Sequence, residues 1–223
     1  MTTSTNPFKM TISRFGEDGI RVLFGNDIDL SVHEKVRNFY FYMKSLDLPE
    51  VIDYTPSFRS CLIHFNTERT NFARLSSLIE EKEEEALRPG NTPESTLQEI
   101  PVHYGGPEAL DMKNVCEQTG LSERDVIAIH SDIIYTVYTV GFTPGFPYLG
   151  TLDQRIQVPR LETPRTKIAA GSVGIAQGQT GVYPFPSPAG WRIIGHTDVR
   201  FFNYEKEPYS LLRIGDKVKF ISI

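Results

Sequence analysis

Ile133-Ile134-Tyr135-Thr136-Val137-Tyr138-Thr139-Val140 runs without a break into Gly141-Phe142-Thr143-Pro144-Gly145-Phe146-Pro147-Tyr148-Leu149-Gly150. The first eight residues are all β-branched or aromatic, which predicts a central strand in the second half of the chain. In the next ten, three glycines open backbone conformations closed to other residues and two prolines then restrain the loop. That combination predicts a preorganised loop rather than a plain connector. The spacing is neither GxxxxGK[ST] nor a dinucleotide fingerprint leading into a helix. Of the 32 Gly and Pro residues, 15 lie between 141 and 190, so this stretch reads as rigid loops and short strands around something.

Upstream of that strand, Ile100 to Tyr104 reads as another strand, and a short helix runs from about Asp111 to a stop at Gly120. A second helix opens at Ser122, with Asp125 three residues on and Leu121 placed to pack on Val126. His130 falls in its last turn. There the helix dipole favours a protonated ring, which gives a cation or proton donor; a ring that caps helix carbonyls fits the same spacing.

The first half alternates strand, strand, helix, strand, strand, helix. Met10 to Phe15 and Ile20 to Phe24 flank the turn Gly16-Glu17-Asp18-Gly19, and Ser31-Val32-His33-Glu34 reads as a capping box for a helix through Leu46. Val51 to Tyr54 and Cys61 to Phe65 form a second strand pair, and Phe72, Leu75, Leu78 and Ile79 recur at helical spacing. The acidic tail Glu80 to Glu85 reads as a solvated helix face, with Glu84 and Arg88 spaced as a pair. Arg88 to Gln98 is polar, aperiodic and Pro/Gly-containing. The expected organisation is α+β: a small N-terminal α/β domain over 1–90 and a second domain over 91–223, with the linker at about 88–98.

With 223 residues, 39% of them apolar and 23% charged, the composition is that of a soluble globular protein. No apolar run approaches the ~18 residues that span a bilayer. Met1 to Lys9 is Thr-rich and polar, so a cytoplasmic protein without a signal peptide is expected. Cys61 and Cys116 lack CxxC spacing and read as buried thiols of a reducing compartment. The five histidines, at 33, 64, 103, 130 and 196, form no HxH or HExxH pattern, so no metal site is expected. A net charge of −5 argues against nucleic-acid binding. Residues 141–200 nevertheless hold six Lys and Arg against three Asp and Glu, while the rest of the chain is acidic. Such a cationic region suits a small anionic ligand, or arginines scattered over surface loops.

Four further runs carry the chain's most specific patterns: Pro159-Arg160 through Thr163-Pro164-Arg165-Thr166-Lys167 to Gly171-Ser172-Val173-Gly174-Ile175-Ala176; Gly178-Gln179-Thr180-Gly181-Val182-Tyr183-Pro184; Ser187-Pro188-Ala189-Gly190-Trp191; and Gly195-His196-Thr197. With Gly141 to Gly150, these resemble the allophanate hydrolase subunit 1 family, which includes the kinase inhibitor KipI and the B subunit of bacterial 5-oxoprolinase. The pattern stands nearest the last of these, over roughly Ile100 to Phe220. Ala189, His196 and His103 depart from it, standing where a second glycine, an Arg or Lys, and a Cys are common.

The resemblance implies a C-terminal cyclophilin-like β-barrel behind a smaller α/β domain. It further implies cleavage of 5-oxoproline to glutamate with ATP hydrolysis, in an active site shared with a larger partner, the KipA-type or C subunit of 5-oxoprolinase, and with a third component. Alternatives within the family are a kinase inhibitor or a subunit of a urea or allophanate pathway enzyme. Phosphorylating a lactam oxygen calls for cations and preorganised donors. His130, Arg165 and Lys167 are the catalytic candidates, and Arg160, Thr166, Ser172, Gln177, Gln179, Thr180 and Tyr183 the substrate or nucleotide contacts. Each has a plain structural use as well. Arg165 and Lys167, two residues apart on an alternating strand, would reach one anion together. Magnesium would accompany ATP, with carboxylates from the partner completing its sphere.

Overall fold

The computed structural model describes residues 10–223; the polar segment Met1 to Lys9 lies outside the described residues. The chain divides into two compact units, Met1–Glu94 and Ser95–Ile223.

In the first unit, β1 (Thr11–Phe15), β2 (Gly19–Leu23), β3 (Val51–Pro56) and β4 (Ser60–Phe65) form one sheet in the order β1-β2-β4-β3, antiparallel throughout. The period-2 pattern is clearest in β4, where Cys61, Ile63 and Phe65 are buried and the residues between them are not. Helix α1 (Leu30–Ser45) buries Val32, Val36, Phe39 and Met43, and α2 (Phe72–Glu81) buries Leu75 and Ile79. The cap of α1 is Asp29 rather than Ser31: its carboxylate accepts from the backbone N–H groups of Ser31 and Val32. A carboxylate one residue before the first turn takes two orphan donors at once and starts the helix earlier than the Ser31 box would. A one-turn helix, α3 (Glu83–Ala86), ends the unit's regular structure, and Arg88 meets Glu84 at 3.4 Å.

The second unit contains β5 (Leu97–Tyr104), α4 (Met112–Thr119), α5 (Glu123–Asp132), β6 (Ile134–Val140), β7 (Pro147–Gly150), β8 (Arg165–Ile168), β9 (Ser172–Ala176), β10 (Gln179–Val182), β11 (Ser187–Ala189), β12 (Arg192–His196) and β13 (Lys217–Ser222). Seven of these strands close a barrel in the order β10-β7-β6-β13-β5-β12-β9, while β8 and β11 form a separate two-stranded ribbon. Closure removes the sheet's edges. Strand β6 is a member of the closed wall, with Tyr135, Val137 and Tyr138 buried. Val102, Val173, Ile175, Val218 and Phe220 pack with Tyr135 and Val137 in the core. The capping box of α5 forms as its spacing predicts, Ser122 and Asp125 each holding the other's backbone N–H. Among the described residues, no helix is long and apolar enough to cross a membrane.

Candidate functional site

His130 does not stand at a helix end facing solvent. The barrel wall closes over the last turn of α5, and the ring is wholly buried. Thr180 donates its hydroxyl to the Gly174 carbonyl at 3.0 Å, so the 2.8 Å contact between His130 Nε2 and Thr180 Oγ1 has the imidazole as donor. Nδ1 is then the acceptor, and the Tyr104 hydroxyl donates to it at 2.6 Å. Each ring nitrogen is satisfied in the neutral form. Burial drives the pKa of His130 down from 6.5 to about 3, because desolvation penalises the charged ring far more than the helix dipole stabilises it. The expectation of a protonated, proton-donating His130 is thus corrected. The ring is a neutral strut that, with Thr180, ties α5 to β5, β9 and β10.

Arg165 opens β8, and its guanidinium lies on Asp111, Nη1 and Nη2 each 2.8 Å from a different carboxylate oxygen. Asp111 is 4% exposed and also accepts the backbone N–H of Ile193 at 2.8 Å. Arg192 brings a second guanidinium to the same carboxylate, its Nη1 3.8 Å from Oδ1, while its Nε–H donates to the Pro159 carbonyl at 3.3 Å. Neither Asp111 nor Arg192 stands out as functional in the sequence. The expectation that Arg165 and Lys167 act on one anion together is corrected to this extent: the fork of Arg165 is held by Asp111, and the residue that joins it is Arg192.

Lys167 instead lines a cavity of about 580 Å³ together with Glu108, Leu110, Ile168, Ser172 and His196. Lys167 itself is exposed, while Ser172 is buried and spends its hydroxyl on the Ala169 carbonyl at 2.8 Å. His196 Nε2 lies 3.0 Å from the Ala170 carbonyl. A carbonyl can only accept, so Nε2 carries the hydrogen and Nδ1 is turned to Glu108 and Asp198, at 3.7 and 3.9 Å. Gly171 makes this approach possible. Its φ is +82°, and a Cβ there would sit 2.1 Å from the Thr197 carbonyl oxygen and 2.7 Å from His196 Nε2. The cavity is therefore walled mainly by apolar groups, with one lysine, one carboxylate and one imidazole at hand. That volume and lining are those of a small-molecule pocket: mostly apolar walls with a few polar groups.

The remaining candidates are dispersed. Thr166 is exposed between Arg165 and Lys167, so strand alternation points it away from both. Gln177 occupies the β9–β10 turn with φ +52°, and Gln179 pairs with Ala176 beside it. Ser172 is at the other end of β9, roughly 16 Å away at the usual rise per residue, so the two glutamines and Ser172 do not meet around one small ligand. Tyr183 is buried among Phe146, Trp191 and Ile168, and desolvation raises its hydroxyl pKa to about 12. Arg160 lies with its guanidinium 5.9 Å from the centroid of the Trp191 ring, a cation–π distance. Sequence spacing could not separate these roles, since all lie within one motif-dense stretch.

The carboxyltransferase domain family, subdomain C and D, matches residues 10–212. The 5-oxoprolinase B subunit of Bacillus subtilis (strain 168) is 36% identical over 222 residues, which cover 95% of this chain and 92% of that protein. The 5-oxoprolinase B subunit of Escherichia coli O157:H7 is 42% identical over 178 residues, 79% of this chain and 80% of that protein. Among solved structures, TTHA0988 superposes with a TM-score of 0.81 at 31% identity, over 92% of this chain and 40% of its own. The present chain thus spans less than half of TTHA0988.

Proposed function

The chain belongs to the carboxyltransferase subdomain C and D family, among relatives named as the B subunit of 5-oxoprolinase, and we propose from that premise that it is the B subunit of an ATP-dependent 5-oxoprolinase. In this reading it works in the cytoplasm with a larger subunit and a third component to open the lactam of 5-oxo-L-proline to L-glutamate. The observation that carries the reading is the near full-length match to the Bacillus subtilis protein, with 36% identity over 95% of this chain. Its reduced thiols, Cys61 and Cys116, suit that compartment.

ATP supplies the driving force: its γ-phosphoryl group passes to the lactam oxygen as ADP leaves, and water then adds to the activated carbon, the C–N bond breaks and inorganic phosphate departs. The cavity beside Lys167 takes the small acid: the apolar wall from Leu110 and Ile168 accepts the ring's methylenes, and the lysine takes the carboxylate. Among the described residues no group of three or more His, Cys, Asp or Glu is placed to hold a metal ion. In this reading magnesium arrives with ATP, held by the phosphate oxygens and by carboxylates that we assign to the partner.

Two results are expected. The isolated chain should show no 5-oxoproline-dependent ATP hydrolysis, and activity should appear when it is purified with the products of its neighbouring genes. Full activity from the chain alone, or no activity from the assembly, would overturn the reading. Within the assembly, Lys167→Ala should raise KM for 5-oxoproline by roughly tenfold, the loss of one charge-assisted hydrogen bond, with a smaller change in kcat. An unchanged KM would move the carboxylate to another site.

A further inference from the structure

We propose that Arg165, held by Asp111, and Arg192, whose guanidinium lies near the same carboxylate, form an oxyanion site for a phosphoryl group, with Asp111 as its positioning residue. Two guanidinium groups lie within 4 Å of one carboxylate oxygen, Arg165 Nη2 at 2.8 Å and Arg192 Nη1 at 3.8 Å from Asp111 Oδ1. Arginine stays protonated at any accessible pH. The cluster therefore holds two positive charges against one negative. The side chains are 30% exposed for Arg165, 13% for Arg192 and 4% for Asp111, so water screens the surplus poorly. A surplus cation in such a place costs stability unless a ligand brings the missing negative charge.

The two arginines are not equivalent. Arg165 makes two parallel bonds to Asp111 and is fixed by them. At 3.8 Å Arg192 is too far for a hydrogen bond to Asp111; it is anchored instead from Nε to Pro159. Among the described residues the terminal N–H groups of Arg192 make no hydrogen bond, and the guanidinium of Arg165 makes none beyond those to Asp111. Asp111 also fixes the spacing between β8 and β12, through Arg165 on one side and the Ile193 N–H on the other.

The site adjoins the cavity. Leu110 immediately precedes Asp111, and Lys167 follows Arg165 by two residues; both line the cavity. Neither arginine is itself part of the cavity lining, so an anion bound at them would occupy a separate place from the acid bound at Lys167. The identity of that anion as the nucleotide's phosphoryl group rests on the function proposed above, whereas the oxyanion site itself rests on the charge count.

The test uses the full chain with tripolyphosphate as the probe, at constant ionic strength and without magnesium. Wild type should bind it, and Arg192→Gln should weaken the dissociation constant at least tenfold. The same substitution should leave the melting temperature of the unliganded protein unchanged or raise it, because it removes the surplus charge. A purely structural arginine would do the reverse, lowering the melting temperature without touching binding. That pattern, or tripolyphosphate affinity within twofold of wild type, overturns the proposal. Loss of 5-oxoproline binding with tripolyphosphate binding intact overturns the phosphoryl assignment. An assembled complex without 5-oxoproline-dependent ATP hydrolysis, from a chain that still binds tripolyphosphate through Arg192, sinks the proposed function and leaves the oxyanion site standing.

Discussion

The His130→Gln variant is expected to lose part of the parent protein's acid sensitivity between pH 6.5 and about 4. In the unfolded chain His130 takes up a proton near its ordinary pKa of 6.5, and in the folded chain only near 3. Between those values the unfolded state holds one more proton, so lowering the pH favours unfolding. Stability is intact above about 6.5 and falls by about 1.4 kcal/mol per pH unit below it. By pH 4 the cumulative loss from this residue is roughly 3 kcal/mol, and it stops growing near the folded-state pKa. Glutamine cannot titrate, so its denaturation midpoint should vary less with pH over that window. At pH 7.5 the variant should be less stable than the parent by about 2 kcal/mol, since glutamine cannot satisfy both Tyr104 and Thr180. Urea unfolding at pH 4.5, 5.5, 6.5 and 7.5 measures both effects. Parallel pH profiles for parent and variant would mean that the folded protein accepts a charged His130.

Removing Asp111 should be the most damaging single change among the residues described above. The side chain is 4% exposed and accepts from both terminal nitrogens of Arg165 and from the Ile193 N–H. Asp111→Ala leaves two guanidinium groups facing each other without a counter-charge and one backbone donor unpaired. Deleting one partner of a buried ion pair costs about 3–5 kcal/mol, and the partial exposure of Arg165 places this case at the lower end, about 3 kcal/mol. Asp111→Asn keeps the shape and one acceptor oxygen but not the charge, so its loss should be smaller. Thermal and urea denaturation of both variants would check the order, and a double variant with Arg192→Gln should recover part of the Asp111→Ala loss. Equal stability of Asp111→Ala and the parent would mean that Asp111 does not hold β8 and β12 together.

The elements that were legible in the sequence are those whose cause is local. The β-branched and aromatic run from Ile133 reads as a strand by itself, and β6 occupies Ile134–Val140. The Ser122 and Asp125 box and the stop at Gly120, with φ +71°, depend on residues a few positions apart. So does the inward set Cys61, Ile63 and Phe65 on β4. Even among local signals competition matters: Ser31 had the spacing of a cap, and Asp29, two residues earlier, took that place.

The candidate site was legible only as a motif-dense stretch rich in cations and glycine, together with the family it resembles. The roles inside it were not, because they depend on partners far away in sequence. Arg165 meets Asp111 across 54 positions, and His130 meets Thr180 across 50. Residue type and spacing determined that this chain has a cationic, glycine-rich half with one well-defined central strand. Barrel closure decided the rest. It set His130 in a dry wall where only the neutral ring is tolerated, while the separate β8–β11 ribbon carries Lys167 to the cavity. It also brought Arg192 to a carboxylate already claimed by Arg165, since burial and charge pairing arise only once β5, β9 and β12 lie side by side.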